Sequence, residues 1–194
     1  FQDIAEKALV DSLKSYDAET GYAVLMEVKS GEVKAIVNMQ KNEDGSYSEN
    51  RNGVVSDKVE PGSTFKVISL MAVLDDGRAK LTDTIHTGNG IWYVANKPMR
   101  DHNANRGGYG TITLAEALHA SSNVGISKTI MKAYGAKPSE FVEKLYRMKI
   151  ADMMNLEIPG TAKPLIKHPK KNPDMWYKTT LAWMSVGYET MMPP

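Results

Sequence analysis

The spacing of apolar residues changes several times along the chain. Ile4, Ala5, Ala8, Leu9, Leu13 and Tyr16 recur at helical intervals and predict a helix over residues 4–16 with one buried stripe. Tyr22 to Val28 is apolar on both faces, the pattern of a central strand. Lys29-Ser30-Gly31-Glu32 turns the chain back, and Val33 to Val37 reads as the partner in a β-hairpin. Residues 38–58 are rich in Asn, Asp, Gly and Ser and predict a loop that ends at Pro61-Gly62.

From Phe65 to Leu74, eight of ten residues are apolar, which predicts a helix buried on nearly every face. Gly77 stops it. Residues 82–110 read as irregular. Thr113 and Glu116 have the spacing of a capping box and open a short helix. The polar knot Ser121-Ser122-Asn123 separates that helix from one over 124–133, which Gly135 ends. Another amphipathic helix covers Ser139 to Met148, and residues 151–175 read as a loop with the basic run Lys167 to Lys171. A hairpin followed by several helices indicates an α+β chain, with too few strands to close a sheet.

Composition narrows the possibilities. A length of 194 residues suits one domain. The formal net charge of +1 argues against a nucleic-acid binder, which needs a strongly basic face. The absence of cysteine excludes a disulfide scaffold, a thiolate zinc site and a cysteine nucleophile. His86, His102, His119 and His168 lack ligand spacing, so they read as surface or loop residues and no metal is expected. Gly107-Gly108-Tyr109-Gly110 does not match a nucleotide-binding fingerprint, so no cofactor is expected. No stretch approaches the roughly 18 consecutive apolar residues of a membrane span. The chain opens Phe1-Gln2-Asp3 without an initiator methionine and closes Met191-Met192-Pro193-Pro194, so both ends are expected to be boundaries of a cut or processed piece.

Lys66 is the one charge in the apolar helix. A buried lysine is costly unless it is paired, hydrogen-bonded or neutral. Ser63 stands three residues earlier, on the same face at the mouth of that helix. Desolvation lowers a lysine pKa toward values useful in a general base, and the helix N-terminus favours negative charge growing on Ser63. Ser63 and Lys66 therefore form a candidate activated serine without a histidine. The plain alternative is Ser63 as a helix N-cap and Lys66 snorkelling to water. Ser121-Ser122-Asn123 fits S-x-N. Its hydroxyl can move a proton and its carboxamide can hold a peptide backbone, whereas the plain alternative is a capping cluster.

Taken in order, Glu60-Pro61-Gly62-Ser63-Thr64-Phe65-Lys66 and Ser121-Ser122-Asn123-Val124-Gly125-Ile126 resemble the signatures of penicillin-binding protein transpeptidases. The hairpin from Gly21 to Val37, Arg100-Asp101 and Ser185-Val186-Gly187-Tyr188-Glu189 extend the resemblance over essentially the whole chain. The match is to the class B, monofunctional type, and within it to division-specific transpeptidases. The resemblance implies a partial penicillin-binding and serine β-lactamase-like fold, comprising the helical part and the first hairpin. It implies Ser63 as nucleophile, Lys66 as its base, Ser121 as proton relay and Asn123 as holder of the substrate amide. Implied partners are peptidoglycan stem peptides, β-lactam antibiotics, and divisome or glycosyltransferase membrane proteins reached through absent parts. The implied location is the bacterial cell envelope, on the outer, periplasmic face of the cytoplasmic membrane, with an anchor upstream of Phe1.

The third family motif, K-[ST]-G, has no good match. Lys29-Ser30-Gly31 precedes the nucleophile and lies in a hairpin turn. Lys178-Thr179-Thr180 has Thr where Gly is needed for close approach of substrate. Residues 1–194 are thus expected to form one incomplete transpeptidase domain, weak or inactive alone, with exposed apolar edges. The alternatives are a penicillin-sensing or β-lactamase-like domain, and a non-catalytic scaffold that kept the fold.

Overall fold

A computed structural model describes residues 1–194. The chain divides into two compact units, the first comprising Phe1–Val59, Met153–Lys163 and Met192–Pro194, the second Glu60–Asp152 and Pro164–Met191.

In the first unit, helix α1 (Gln2–Tyr16) ends at Asp17, whose φ of 49° lets the N–H groups of Asp17 and Ala18 reach back to Lys14 and Leu13 carbonyls. Strand β1 (Thr20–Met26) pairs antiparallel with β2 (Val33–Lys41), and the short β3 (Tyr47–Ser48) pairs with the other edge of β2. The stripe on α1 packs as its spacing requires: Leu13, Val37 and Met39 are buried against Leu9, Val10 and Ala23. β1 is an edge strand rather than a central one. Only β2 pairs with it, and Val24, Leu25 and Met26 are exposed.

The expected loop over 38–58 is also more ordered than its polarity suggests. β2 continues to Lys41, and helix α2 (Gly53–Ser56) follows β3. Asn38 explains part of this order. It is buried, donates to Glu49 and Asn52, and accepts from the Val54 N–H, so a residue that reads as loop becomes a hub.

The second unit is built on helix α3 (Phe65–Asp75), which follows a single 3₁₀ turn over Gly62–Thr64. Strands β4 (Thr84–Gly88), β5 (Ile91–Val94), β6 (Lys97–Arg100) and β7 (Gly110–Thr113) lie in the stretch expected to be irregular. β5 and β6 form a hairpin through Ala95 and Asn96, both with positive φ, and β4 pairs with β7. Helix α4 (Leu114–His119) begins at the expected capping box: Thr113 accepts from the Glu116 N–H and the Glu116 carboxylate accepts from the Thr113 N–H. Helices α5 (Asn123–Tyr134), α6 (Pro138–Arg147) and α7 (Thr180–Met184) and the short pair β8 (Leu165–Ile166) and β9 (Thr190–Met191) complete the unit.

Phe65, Leu70 and Val73 of α3, Ile126 and Ile130 of α5, Phe141 and Leu145 of α6, and Met184 of α7 are all buried. Each such side chain contributes about 1.5–3 kcal/mol by leaving water. α3 is not apolar-buried all round, because Val67 and Met71, one turn apart, are exposed. Buried serines tie the helices together: Ser69 Oγ on α3 donates to the Ser185 carbonyl just after α7, and Ser127 Oγ on α5 donates to the Ala182 carbonyl in α7. His168 lies in a loop, as one of its two readings has it, but not at the surface. It is buried, stacks on Tyr146, and its Nδ1 accepts from the Lys170 and Lys171 N–H groups. The structure is thus a mixed α+β chain, as the sequence predicts.

Candidate active site

Ser63 sits in the 3₁₀ turn ahead of α3. It is exposed, and its hydroxyl bonds to nothing in the chain. It is therefore not a cap: the neighbouring Thr64 hydroxyl ties the turn instead, donating to the Pro61 carbonyl at 2.8 Å. The turn is held from behind by Gly187, whose carbonyl accepts the Gly62 N–H at 3.0 Å. Gly187 has φ 88°, and a Cβ there would lie 1.8 Å from the Gly62 carbonyl oxygen. Only glycine lets the two backbones approach this closely.

Lys66 lies one turn further along α3 and is 1% exposed, so it does not snorkel. Its ammonium donates to the Ser121 carbonyl at 2.6 Å and to the Ser121 hydroxyl at 2.9 Å. Burial pulls the lysine pKa down to about 8, against an opposing pull from the Asp101 carboxylate. No hydrogen bond joins Lys66 to Ser63. The i,i+3 relation places them on one face, but the resting amine turns to Ser121.

Ser121 is present because of how α4 ends. The Ser121 N–H bonds to the Leu118 carbonyl and the Ser122 N–H to the Ala117 carbonyl, the crossed pair of a Schellman turn. The residue at that position takes a left-handed conformation and is usually glycine. Here it is Ser121, with φ 50°. A side chain in that conformation costs about 1–2 kcal/mol, a strain that places the serine oxygens against Lys66.

Ser122 is the N-cap of α5, so the capping reading of the S-x-N segment holds for its middle residue. Ser122 Oγ accepts from the Gly125 N–H at 2.8 Å and donates to Asp101. Asp101 is buried, and one of its oxygens also accepts the Val124 N–H at 3.0 Å. A carboxylate at a helix N-terminus is favoured by the helix dipole as well as by these bonds. Asn123 donates its side-chain N–H to the Arg100 carbonyl at 2.8 Å, while its carboxamide oxygen accepts nothing from the chain. That oxygen can accept a bond from an incoming amide.

The structure thus brings Lys66 and Ser121 into direct contact, puts Asn123 two residues beyond, and leaves Ser63 open at the helix mouth. Asp101 and Gly187 are the supports that residue-by-residue reading misses. Asp101 follows Arg100 in a stretch without periodicity, and its partners are 21 and 23 positions away. A group with this geometry can transfer an acyl chain to a serine: an exposed hydroxyl, an amine of lowered pKa and a second hydroxyl bonded to that amine.

Comparison with known proteins agrees. The family described as Penicillin binding protein transpeptidase domain matches residues 21–189. A peptidoglycan D,D-transpeptidase FtsI of Escherichia coli K12 is 31% identical over the whole chain, which covers 32% of that protein. A probable peptidoglycan D,D-transpeptidase PenA of Neisseria flavescens is 27% identical over 96% of the chain, covering 45% of its own length. The chain therefore spans less than half the length of these relatives. Among solved structures, the TP domain of Burkholderia pseudomallei penicillin-binding protein 3 superposes with a TM-score of 0.81 and 29% identity, over 99% of this chain and 52% of that one. A peptidoglycan glycosyltransferase from Burkholderia ambifaria gives 0.79 and 28%, over 99% and 55%. With the fold shared and the family matched over 169 consecutive residues, this chain belongs to the penicillin-binding protein transpeptidase domain family.

Proposed function

We propose that the chain carries the nucleophile-bearing part of a peptidoglycan D,D-transpeptidase that cross-links stem peptides through a serine acyl-enzyme. The observation that carries this reading is the buried Lys66 amine, held by Ser121 one helical turn behind an exposed and unbonded Ser63. Ser63 Oγ attacks the carbonyl carbon of the penultimate D-alanine, and neutral Lys66 takes the hydroxyl proton. The tetrahedral adduct collapses, the C–N bond breaks, and the terminal D-alanine leaves with a proton passed from Lys66 through Ser121 Oγ. An amine from a neighbouring stem peptide then attacks the ester, gives up its proton along the same path, and frees Ser63. Asn123 holds the substrate amide, and the Ser63 N–H is one donor to the oxyanion. A β-lactam acylates the same serine by the same route.

In this reading residues 1–194 are one incomplete transpeptidase domain of a longer protein, weak or inactive alone because no downstream K-[ST]-G accompanies Ser63. The resemblance of the sequence motifs to division-specific transpeptidases favours a division enzyme of the cell envelope, working on the periplasmic side beside divisome or glycosyltransferase membrane proteins. No helix of the chain is long and apolar enough to cross a membrane, and anchoring is assigned to an upstream segment. The test is release of D-alanine from a synthetic peptide ending in D-alanyl-D-alanine, by the longer protein that carries this chain. Release that stops in Ser63→Ala is expected. Release that continues unchanged in Ser63→Ala overturns the assignment.

A further inference from the structure

A second cavity lies in the same unit, away from Ser63, Lys66, Ser121 and Asn123. Its volume is about 310 Å³, and Arg78, Ile85, His86, Leu114, Lys128 and Lys132 contribute to its walls. That size falls at the lower end of small-molecule sites, roughly 300–1,000 Å³. Lys132 is nine residues along α5 from Asn123, about 14 Å at 1.5 Å per residue.

The charge on this cavity is unbalanced. Asp83 is the only carboxylate in its lining, against the cations Arg78, Lys128 and Lys132. Arg78 is partly answered from outside the lining, since its guanidinium donates to Glu140 and to the Ala133 carbonyl and lies over the Tyr134 ring. Lys128 has no anionic partner. Its ammonium donates to the His86 carbonyl at 2.8 Å and lies 5.8 Å from the Trp92 ring centre, which fixes it at the rim. Lys132 has neither a hydrogen bond nor an ion pair. The two lysines are at i and i+4 on α5, where like charges repel, and an anion between them would remove that repulsion. Ile85 gives the cavity an apolar side, with Leu114 buried behind it.

We propose that this cavity binds a small organic anion, with a carboxylate or phosphate head between Lys128 and Lys132 and an apolar body against Ile85. Charge-assisted bonds to two lysines give affinity, and the apolar wall selects against bare inorganic ions. The site is independent of the acyl-transfer reading, and neither stands on the other.

The test is an amide-resonance titration of the full chain with benzoate, phenyl phosphate and the neutral benzyl alcohol at fixed ionic strength. Saturable shifts at His86, Lys128 and Lys132 are expected with at least one anion. Benzyl alcohol should bind about a hundredfold more weakly, the loss of two charge-assisted contacts at about tenfold each. Preference for benzoate or for phenyl phosphate identifies the head group. Lys132→Gln, an exposed and unbonded position, should weaken anion binding by about tenfold, the loss of one of those two contacts, and added salt should weaken the anions but not the alcohol. Equal binding of all three compounds, shifts unaffected by Lys132→Gln, or no saturable shift with either anion overturns the proposal.

Discussion

Lys66 donates to both oxygens of Ser121, its backbone carbonyl and its hydroxyl, across 55 residues of sequence. The contact joins the start of α3 to the end of α4, and it exists because Ser121 takes the left-handed position that closes α4. A glycine would close that helix with less strain. Fold stability and the proposed chemistry therefore ask for different residues at position 121.

This conflict gives the first prediction. Ser121→Gly relieves the left-handed strain and keeps the carbonyl contact to Lys66, so the stability should hold or rise by up to about 1 kcal/mol. Acylation by a β-lactam should fall by about 10²-fold, because the proton relay is lost. Thermal melts and acylation rates of the longer protein that carries this chain check the two halves separately.

The acylation rate should follow the charge on Lys66. With its pKa lowered to about 8, the neutral amine is a minority at pH 7 and dominates above pH 8. The rate should rise about tenfold per pH unit below pH 8 and level off above it. Lys66→Arg, which stays protonated throughout, should show neither the rate nor the rise.

Lys66 also leaves a mark on stability. A lysine whose folded pKa is depressed binds fewer protons folded than unfolded between about pH 8 and its ordinary value of 10.5. Its contribution to stability therefore increases as pH rises through that window. Denaturant melts of wild type and Lys66→Met across pH 7 to 11 should show the difference in stability growing in favour of wild type (pH values chosen to span roughly that window).

Asp101→Asn should cost about 1–3 kcal/mol, since a buried acceptor of the Ser122 hydroxyl and the Val124 N–H is replaced by a weaker one. Removing the negative charge should also lower the Lys66 pKa further, because Asp101 holds it up. The midpoint of the pH–acylation curve should move to lower pH even as the plateau falls. A purely structural Asp101 would lower the plateau without moving the midpoint.

Gly187→Ala should be among the most damaging small substitutions. Its Cβ would overlap the Gly62 carbonyl, and φ 88° is already unfavourable for alanine. A loss of about 3 kcal/mol or more, read from thermal denaturation, is expected.

Much of this was legible in sequence where local pattern decides the outcome. The stripe on α1, the capping box at Thr113 and Glu116, and the lone Lys66 in an apolar helix all use short-range spacing. What was not legible depends on distant partners. The β5–β6 hairpin turns through Ala95-Asn96 without the glycine that marks such turns, so residues 82–110 read as irregular. Asn38 reads as loop until Glu49, Asn52 and Val54 surround it. Tyr22 to Val28 reads as a central strand from its own composition, yet strand order is a property of its neighbours. At the candidate site, the chemistry-bearing types at 63, 66, 121 and 123 stand out in sequence. The left-handed turn at Ser121 and the Asp101 clamp behind it do not.

The most direct measurement is the intact mass of the protein carrying this chain after incubation with benzylpenicillin, with Ser63→Ala alongside. Attack by Ser63 on the β-lactam predicts a gain of one whole penicillin in wild type and none in the variant. An adduct that persists in Ser63→Ala, or a folded wild-type protein that gains no mass, would contradict Ser63 as the nucleophile.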